Sequence, residues 1–181
     1  MIPPLLTIGI PTYNRRETVI RRVQELNSAT LPEGVEVLVI DNASSDGTFE
    51  HLEPLCRNSG IRLLKNDHNL GFAGNFVQLI RKCQSTYLLY NSDEDALLLD
   101  NLVALQEFLR MRSPLFVSPL YRVYRDGYER IERGKERVKE IAPADFWEGA
   151  LITGQVFHAP TSKAILKDFE TIQQTHPTVA G

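Results

Sequence analysis

A chain of 181 residues, 43% hydrophobic and 24% charged, has the balance of a folded domain large enough to bury about 70% of its unfolded surface, which excludes disordered and collagen-like chains. The formal charge of −3 leaves no electrostatic footprint for nucleic acid, so an anionic ligand has to be held by a local device such as a metal. Cys56 and Cys83 share no metal-type spacing and fall in helical patterns, the expectation for buried free thiols in a reducing compartment.

In chain order, Leu5 to Ile10 reads as a first strand, with Pro11 expected to stop it because proline cannot donate to a sheet ladder. The same apolar stretch is too short for a membrane span and lacks a signal peptide's leader, so the chain reads as cytoplasmic. Val19, Ile20, Val23 and Leu26 share a helical face. Val35 to Ile40 is a second buried strand, Asp41 to Gly47 is turn chemistry, and a helix is expected from about Thr48. Ile61 to Leu64 forms the third strand, and Phe72, Phe76, Ile80 and Cys83 mark the third helix. Tyr87 to Tyr90 is the fourth strand.

Beyond it, Asp100 reads as the N-cap of a helix carrying Leu102, Leu105 and Leu109. Leu115 to Val117, Tyr121 to Tyr124 and the Asp126-Gly127 turn predict strands with a hairpin. Residues 121–140 carry seven basic and five acidic side chains, the balance of a solvated hairpin face. A short helix at Asp145 to Gly149, a strand from Leu151 to Phe157 and a last helix from about Ser162 complete the pattern.

Strands alternating with helices predict an α/β fold: one domain built on a mainly parallel, Rossmann-like sheet flanked by helices, with a small β-hairpin region after residue 113. The polar clusters all follow strands, so they are expected to gather along one edge as a crevice. Ser92-Asp93-Glu94-Asp95, at the end of the fourth strand, is the most informative of them. Oxygen-only clusters suit Mg2+ or Mn2+, with ligand phosphates completing the shell. Asp93 and Asp95, at i and i+2 of an extended turn, are expected to share a side, with Glu94 turned away. Taken alone, an acidic triplet also suits a solvated turn.

Together, Thr7 to Arg15, Val37 to Thr48, Asn69 to Asn75 and Ser92 to Asp95 resemble, in order and spacing, the family 2 glycosyltransferases of the GT-A fold, in particular bacterial members that build surface polysaccharides. The resemblance covers residues 5 to about 110. It implies a donor-binding half over 1–112 and an acceptor-side half over 113–181, the latter expected to be truncated. It further implies nucleotide contacts from Pro11, Tyr13, Arg15, Asp41, Asn42, Asn69, Gly71 and Asn75, with Asp41 accepting from the base and Tyr13 stacking on it. By the same likeness Asp93 and Asp95 are the catalytic metal ligands, and Gly154 and Gln155 in the Thr153-Gly154-Gln155 segment lie near the acceptor.

The activity the resemblance implies is metal-dependent transfer, of the inverting type, of a sugar from a UDP- or dTDP-linked donor to a hydroxyl of a glycan or lipid-linked acceptor. Peripheral association at the inner face of a membrane is a further implied partner state. The proton-accepting base has no clear motif; Glu148, His176, Asp168, Glu170 and His158 are the candidates. A non-catalytic nucleotide-sugar binding module is the alternative from another class. A nucleotidyltransferase lacks support because Pro11-Thr12-Tyr13-Asn14 stands where a glycine-rich loop is required, and dehydrogenase and P-loop signatures are missing.

Overall fold

The computed structural model describes residues 4–57, 59–118, 121–125, 128–132 and 153–175. Strands β1 (Leu6–Thr12), β2 (Val35–Asp41), β3 (Arg62–Lys65) and β4 (Tyr87–Tyr90) alternate with helices α1 (Arg16–Ser28), α2 (Thr48–Arg57) and α3 (Gly71–Lys82). A 3₁₀ turn (Leu99–Asn101) leads into α4 (Leu102–Arg112), followed by β5 (Phe116–Val117), the β6 (Tyr121–Arg125) and β7 (Tyr128–Glu132) pair, β8 (Val156–His158) and α5 (Ala159–Thr175). The main sheet runs β3-β2-β1-β4-β8-β5; β6 and β7 form a separate two-stranded sheet. Strands β1 to β4 are parallel, whereas β8 is antiparallel to both β4 and β5.

The central strands are mostly apolar because both their faces are covered. Leu6, Ile8, Ile10, Val37 and Val39 pack against Val19 and Val23 of α1, Leu52 of α2 and Leu102 and Leu109 of α4. Leu38, Ile40, Leu88 and Tyr90 face Phe76, Leu79 and Ile80 of α3 on the other side. Gly9 admits this close layer, since a Cβ there would meet Leu88 Cδ1 at 2.7 Å.

Several sequence expectations shift. Pro11 does not stop β1, which continues to Thr12 in register with Asp41. Leu5 and Gly9 turn their carbonyls to the β4 side, accepting from Tyr87 N–H and Asn91 N–H, while Thr12 accepts from Asn42 N–H on the β2 side. Pro11 is in step with Leu5 and Gly9, so its nitrogen points where β4 has already ended and no ladder bond is lost. Asp100 lies within the 3₁₀ turn, and Asn101 occupies the N-cap of α4 without a side-chain cap. The last strand begins at Val156, after a turn at Thr153-Gly154, and α5 starts at Ala159 rather than Ser162, with Pro160 in its first turn where no N–H is needed. The Asp126-Gly127 turn, the helix at 145–149 and Leu151 lie outside the described residues. Cys56 and Cys83 are free and buried, as expected.

Candidate active site

The loops after β1, β2, β3 and β4 meet at the C-terminal edge of the sheet, and each is tied to its neighbour by side-chain hydrogen bonds. Between β1 and β2, Asn14 N–H donates to Ser44 Oγ at 2.8 Å and Ser45 N–H donates to Asn14 Oδ1 at 2.8 Å. Asp46 accepts from Arg16 N–H at 3.2 Å and from Thr48 N–H at 3.1 Å, so one carboxylate serves the starts of both α1 and α2. Asn14 and Ala43 adopt left-handed backbone, with φ of 50° and 59°.

Asparagines make the next joint. Asn42 Oδ1 accepts from Asn66 Nδ2 at 2.9 Å and Leu70 N–H at 3.0 Å, while its Nδ2 donates to Asn69 Oδ1 at 2.8 Å and to Gly71 O at 3.2 Å. Asn75 Oδ1 accepts from Asn66 Nδ2 at 3.0 Å, and Asn75 Nδ2 donates to Ile40 O at 3.3 Å. With four bonds, the Asn42 amide has used both its donors and both its acceptor lone pairs. Asn42 and Asn75 are therefore placed beneath the crevice as braces for the Asn66–Gly71 loop, both buried. Asn69 Oδ1 also accepts from Gly71 N–H at 2.8 Å, and Gly71 has φ +70°.

Asp41 is fully buried and accepts from Ser44 N–H at 3.2 Å and from the Ser44 hydroxyl. Tyr13 is 42% exposed at the mouth of the same edge. Pro11, two residues before Tyr13, is half-buried.

The acids come next. Asp93 is 3% exposed; Thr12 Oγ1 donates to its Oδ2 at 2.7 Å and Arg15 Nη1 to its Oδ1 at 3.1 Å. Arg15 also pairs with exposed Glu94 at 2.8 Å. Burial pushes the Asp93 carboxyl above the usual carboxylate value, outweighing Thr12 and Arg15, with Glu94 adding to the rise. Burial acts against the charge of Arg15, yet Asp93 and Glu94 overcome it and raise its pKa. Tyr90, buried first and then facing Asp93 and Asp95, has its phenol pushed well up.

Asp95 goes the other way. Its Oδ2 accepts from Thr153 Oγ1 at 2.6 Å, and Thr153 Oγ1 accepts from Ser92 N–H at 3.2 Å. Asn91 Nδ2 holds the loop's backbone through Ser92 O at 2.8 Å and Asp95 O at 3.1 Å. Gly154 N–H donates to Tyr90 O at 2.7 Å, and Tyr90 N–H donates to Gln155 O at 2.9 Å, so Gly154 and Gln155 lie beside the acids. The loop is a turn rather than a strand. For that reason the expected i, i+2 alternation does not hold: Asp93 and Glu94 share Arg15, while Asp95 reaches Thr153.

The structure separates the base candidates. His158 pairs with Tyr87 at the start of β4, the edge opposite the acids, with Nδ1 against Thr161 Oγ1 at 2.7 Å. Glu170 pairs with Arg81 in the last turn of α3, away from the crevice, and Asp168 is exposed on the same helix as Glu170. Glu148 and His176 lie outside the described residues.

Sequence reasoning did not single out Thr12, Thr153, Ser44 or Asn66. Thr12 and Asp93 are 81 residues apart, and Thr153 and Asp95 are 58 apart. No local spacing signals such pairs.

Known proteins share this fold. TarS 1-349 of S. aureus in complex with UDP superposes with a TM-score of 0.63 at 17% identity, covering 92% of this chain and 49% of that one. A mannosyltransferase of Pyrobaculum calidifontis, in complex with GDP-Man and Mn2+, gives 0.51 at 18% identity over 60% of this chain and 33% of that one. The fold is the GT-A fold of glycosyltransferases. The model of glycosyl transferase family 2 matches residues 7–169, and the chain belongs to that family. Abequosyltransferase RfbV of Salmonella typhimurium is 29% identical over 116 residues, 62% of this chain and 35% of its own. Uncharacterized glycosyltransferase YfnE of Bacillus subtilis is 32% identical over 139 residues, 75% of this chain and 35% of its own. The chain thus spans about a third of the length of these curated relatives.

Proposed function

We propose that the chain is the donor-binding and catalytic part of a glycosyltransferase that moves a sugar from a nucleoside diphosphate to a hydroxyl acceptor. The observation that carries the reading is the unbroken line of bonded loops from Asp41 through Thr12 to Asp93 and Asp95. In this reading the base-reading and phosphate-facing positions follow that line along one edge. Family membership supports the reaction class; TarS with UDP and the mannosyltransferase with GDP-Man and Mn2+ are the chemical precedents.

The donor set fits a hard divalent cation. Mg2+ and Mn2+ are held by one or two carboxylates plus substrate phosphates rather than by an all-protein cage. The acids here supply that pair, in surroundings of oxygen, and among the described residues no three Asp, Glu, His or Cys side chains are placed to hold an ion together. The buried side-chain oxygen of Asn91, without a partner among the described residues, adds a further oxygen dipole at the foot of the loop. When bound, the cation would supply Lewis-acid neutralisation of the departing diphosphate.

In this reading Asp93 and Asp95 hold the cation and Arg15, 46% exposed, turns to the diphosphate. Asp41 accepts from the nucleobase, for which its carboxylate retains lone-pair capacity beside Ser44. Tyr13 offers a ring for stacking. Gly71 lets the backbone approach the ligand, while Asn42, Asn69 and Asn75 position that loop. Gly154 and Gln155 border the acceptor, and a glycan or lipid-linked hydroxyl is the acceptor class. The halves 1–112 and 113–181 divide these tasks between donor and acceptor.

Calorimetric titration of UDP into the chain, with Mn2+ and then with EDTA, tests the reading. Metal-dependent binding in the micromolar to low millimolar range is expected; heats that are absent, or identical in the two conditions, would overturn it. Release of UDP from a sugar donor separates the transferase from the alternative, a binding module without turnover.

A further inference from the structure

We propose that Thr153 is a positioning residue for Asp95, so that a turn on the acceptor side sets the affinity of the donor-side cation. The proposal rests on the metal reading above and concerns a residue to which that reading gives no contact with nucleotide or metal.

Thr153 Oγ1 lies 2.6 Å from Asp95 Oδ2 and 3.2 Å from Ser92 N. A backbone N–H only donates, so the hydroxyl accepts there and its single proton points at Asp95. The hydroxyl is itself fixed. Gly154, with φ +82°, closes a turn bonded to both backbone groups of Tyr90, at 2.7 and 2.9 Å.

Thr12 does the corresponding work for Asp93 from β1. In the sheet, β1 and β8 lie on opposite sides of β4. Two acids on one loop after β4 are thus drawn towards opposite neighbours, one by a hydroxyl on β1 and the other by a hydroxyl just before β8. The directions of the two carboxylates are thus held by the flanking strands as well as by the loop's own turn. A hydrogen bond to one carboxylate oxygen orients the other for a cation, and loss of such outer partners typically costs 10–100-fold in metal affinity. By reciprocity, cation binding also restrains the turn that carries Gly154 and Gln155.

The test compares the 181-residue chain with Thr153→Val, Thr153→Ala and Thr153→Ser. Mn2+ affinity is read from the electron paramagnetic resonance signal of the free ion at saturating UDP, and UDP affinity is measured separately in EDTA. Valine and alanine are expected to weaken Mn2+ binding about 10-fold or more, serine to stay within about twofold of wild type, and UDP affinity in EDTA to stay unchanged in all. Unaltered Mn2+ affinity in both valine and alanine variants, or a serine variant as weak as they are, would overturn the role given to Thr153. Failure of the wild-type chain to bind Mn2+ with UDP would instead overturn the metal reading, and this proposal with it.

Discussion

Asp93 sits where burial disfavours a charge. Its folded pKa lies above the ordinary value because burial outweighs Thr12 and Arg15. Its contribution to stability is therefore fully present below a pH of about 4 and is lost as pH rises through the folded value. At pH 7, Asp93→Asn is expected to melt no lower than wild type while losing transfer by about 100-fold or more, the scale of several kcal/mol of lost charge stabilisation. A substantial drop in melting temperature would show that the carboxylate is there for stability. Ala43 raises a related case, since its φ of 59° is unfavourable for an L-residue. Ala43→Gly is expected to stabilise by about 0.5–1 kcal/mol in urea titration, relief of the left-handed strain exceeding the added flexibility of glycine.

Among the elements, α2 and the end of α3 each bury a thiol. Burial pushes Cys56 up to about 11 and raises Cys83 as well. The neutral thiol is the favoured form, so Cys56 contributes stability fully below a pH of about 8.5, and the contribution is lost as pH rises through about 11. At pH 8 a chromogenic disulfide reagent is expected to find no reactive thiol in the native chain and both after unfolding; rapid native labelling would contradict the packing of these helices. Elements were the scale at which the sequence was most legible. Tyr87–Tyr90 is the strand its four apolar residues predict, and Gly71–Lys82 follows the Phe72, Phe76, Ile80 spacing. Boundaries governed by partners were not legible: whether Pro11 ends β1 depends on how far β4 extends, and nothing within Leu6–Thr12 encodes that.

At the scale of the molecule, the strand order places a topological switch between β1 and β4, where connections lead outwards in both directions, and ligands in open α/β sheets bind at such a point. The polar loops could be assigned to this edge from sequence because all of them follow strands. Their mutual bonding could not, since it joins residues 24 to 81 positions apart. Asn42 illustrates the difference: a polar residue after β2 reads as a ligand contact, whereas its four hydrogen bonds brace the neighbouring loop. The end of the sheet around β8 was least legible because that strand joins antiparallel, after a turn whose glycine takes φ +82°.

Pro11 has a consequence for how the fold resists closing on itself. Past the last rung shared with β4, an ordinary residue would present an N–H able to recruit another strand and zip the seam shut. Proline offers no such proton. The seam between the two central strands stays unlaced at its upper end, and Asp93 can lean across it to Thr12.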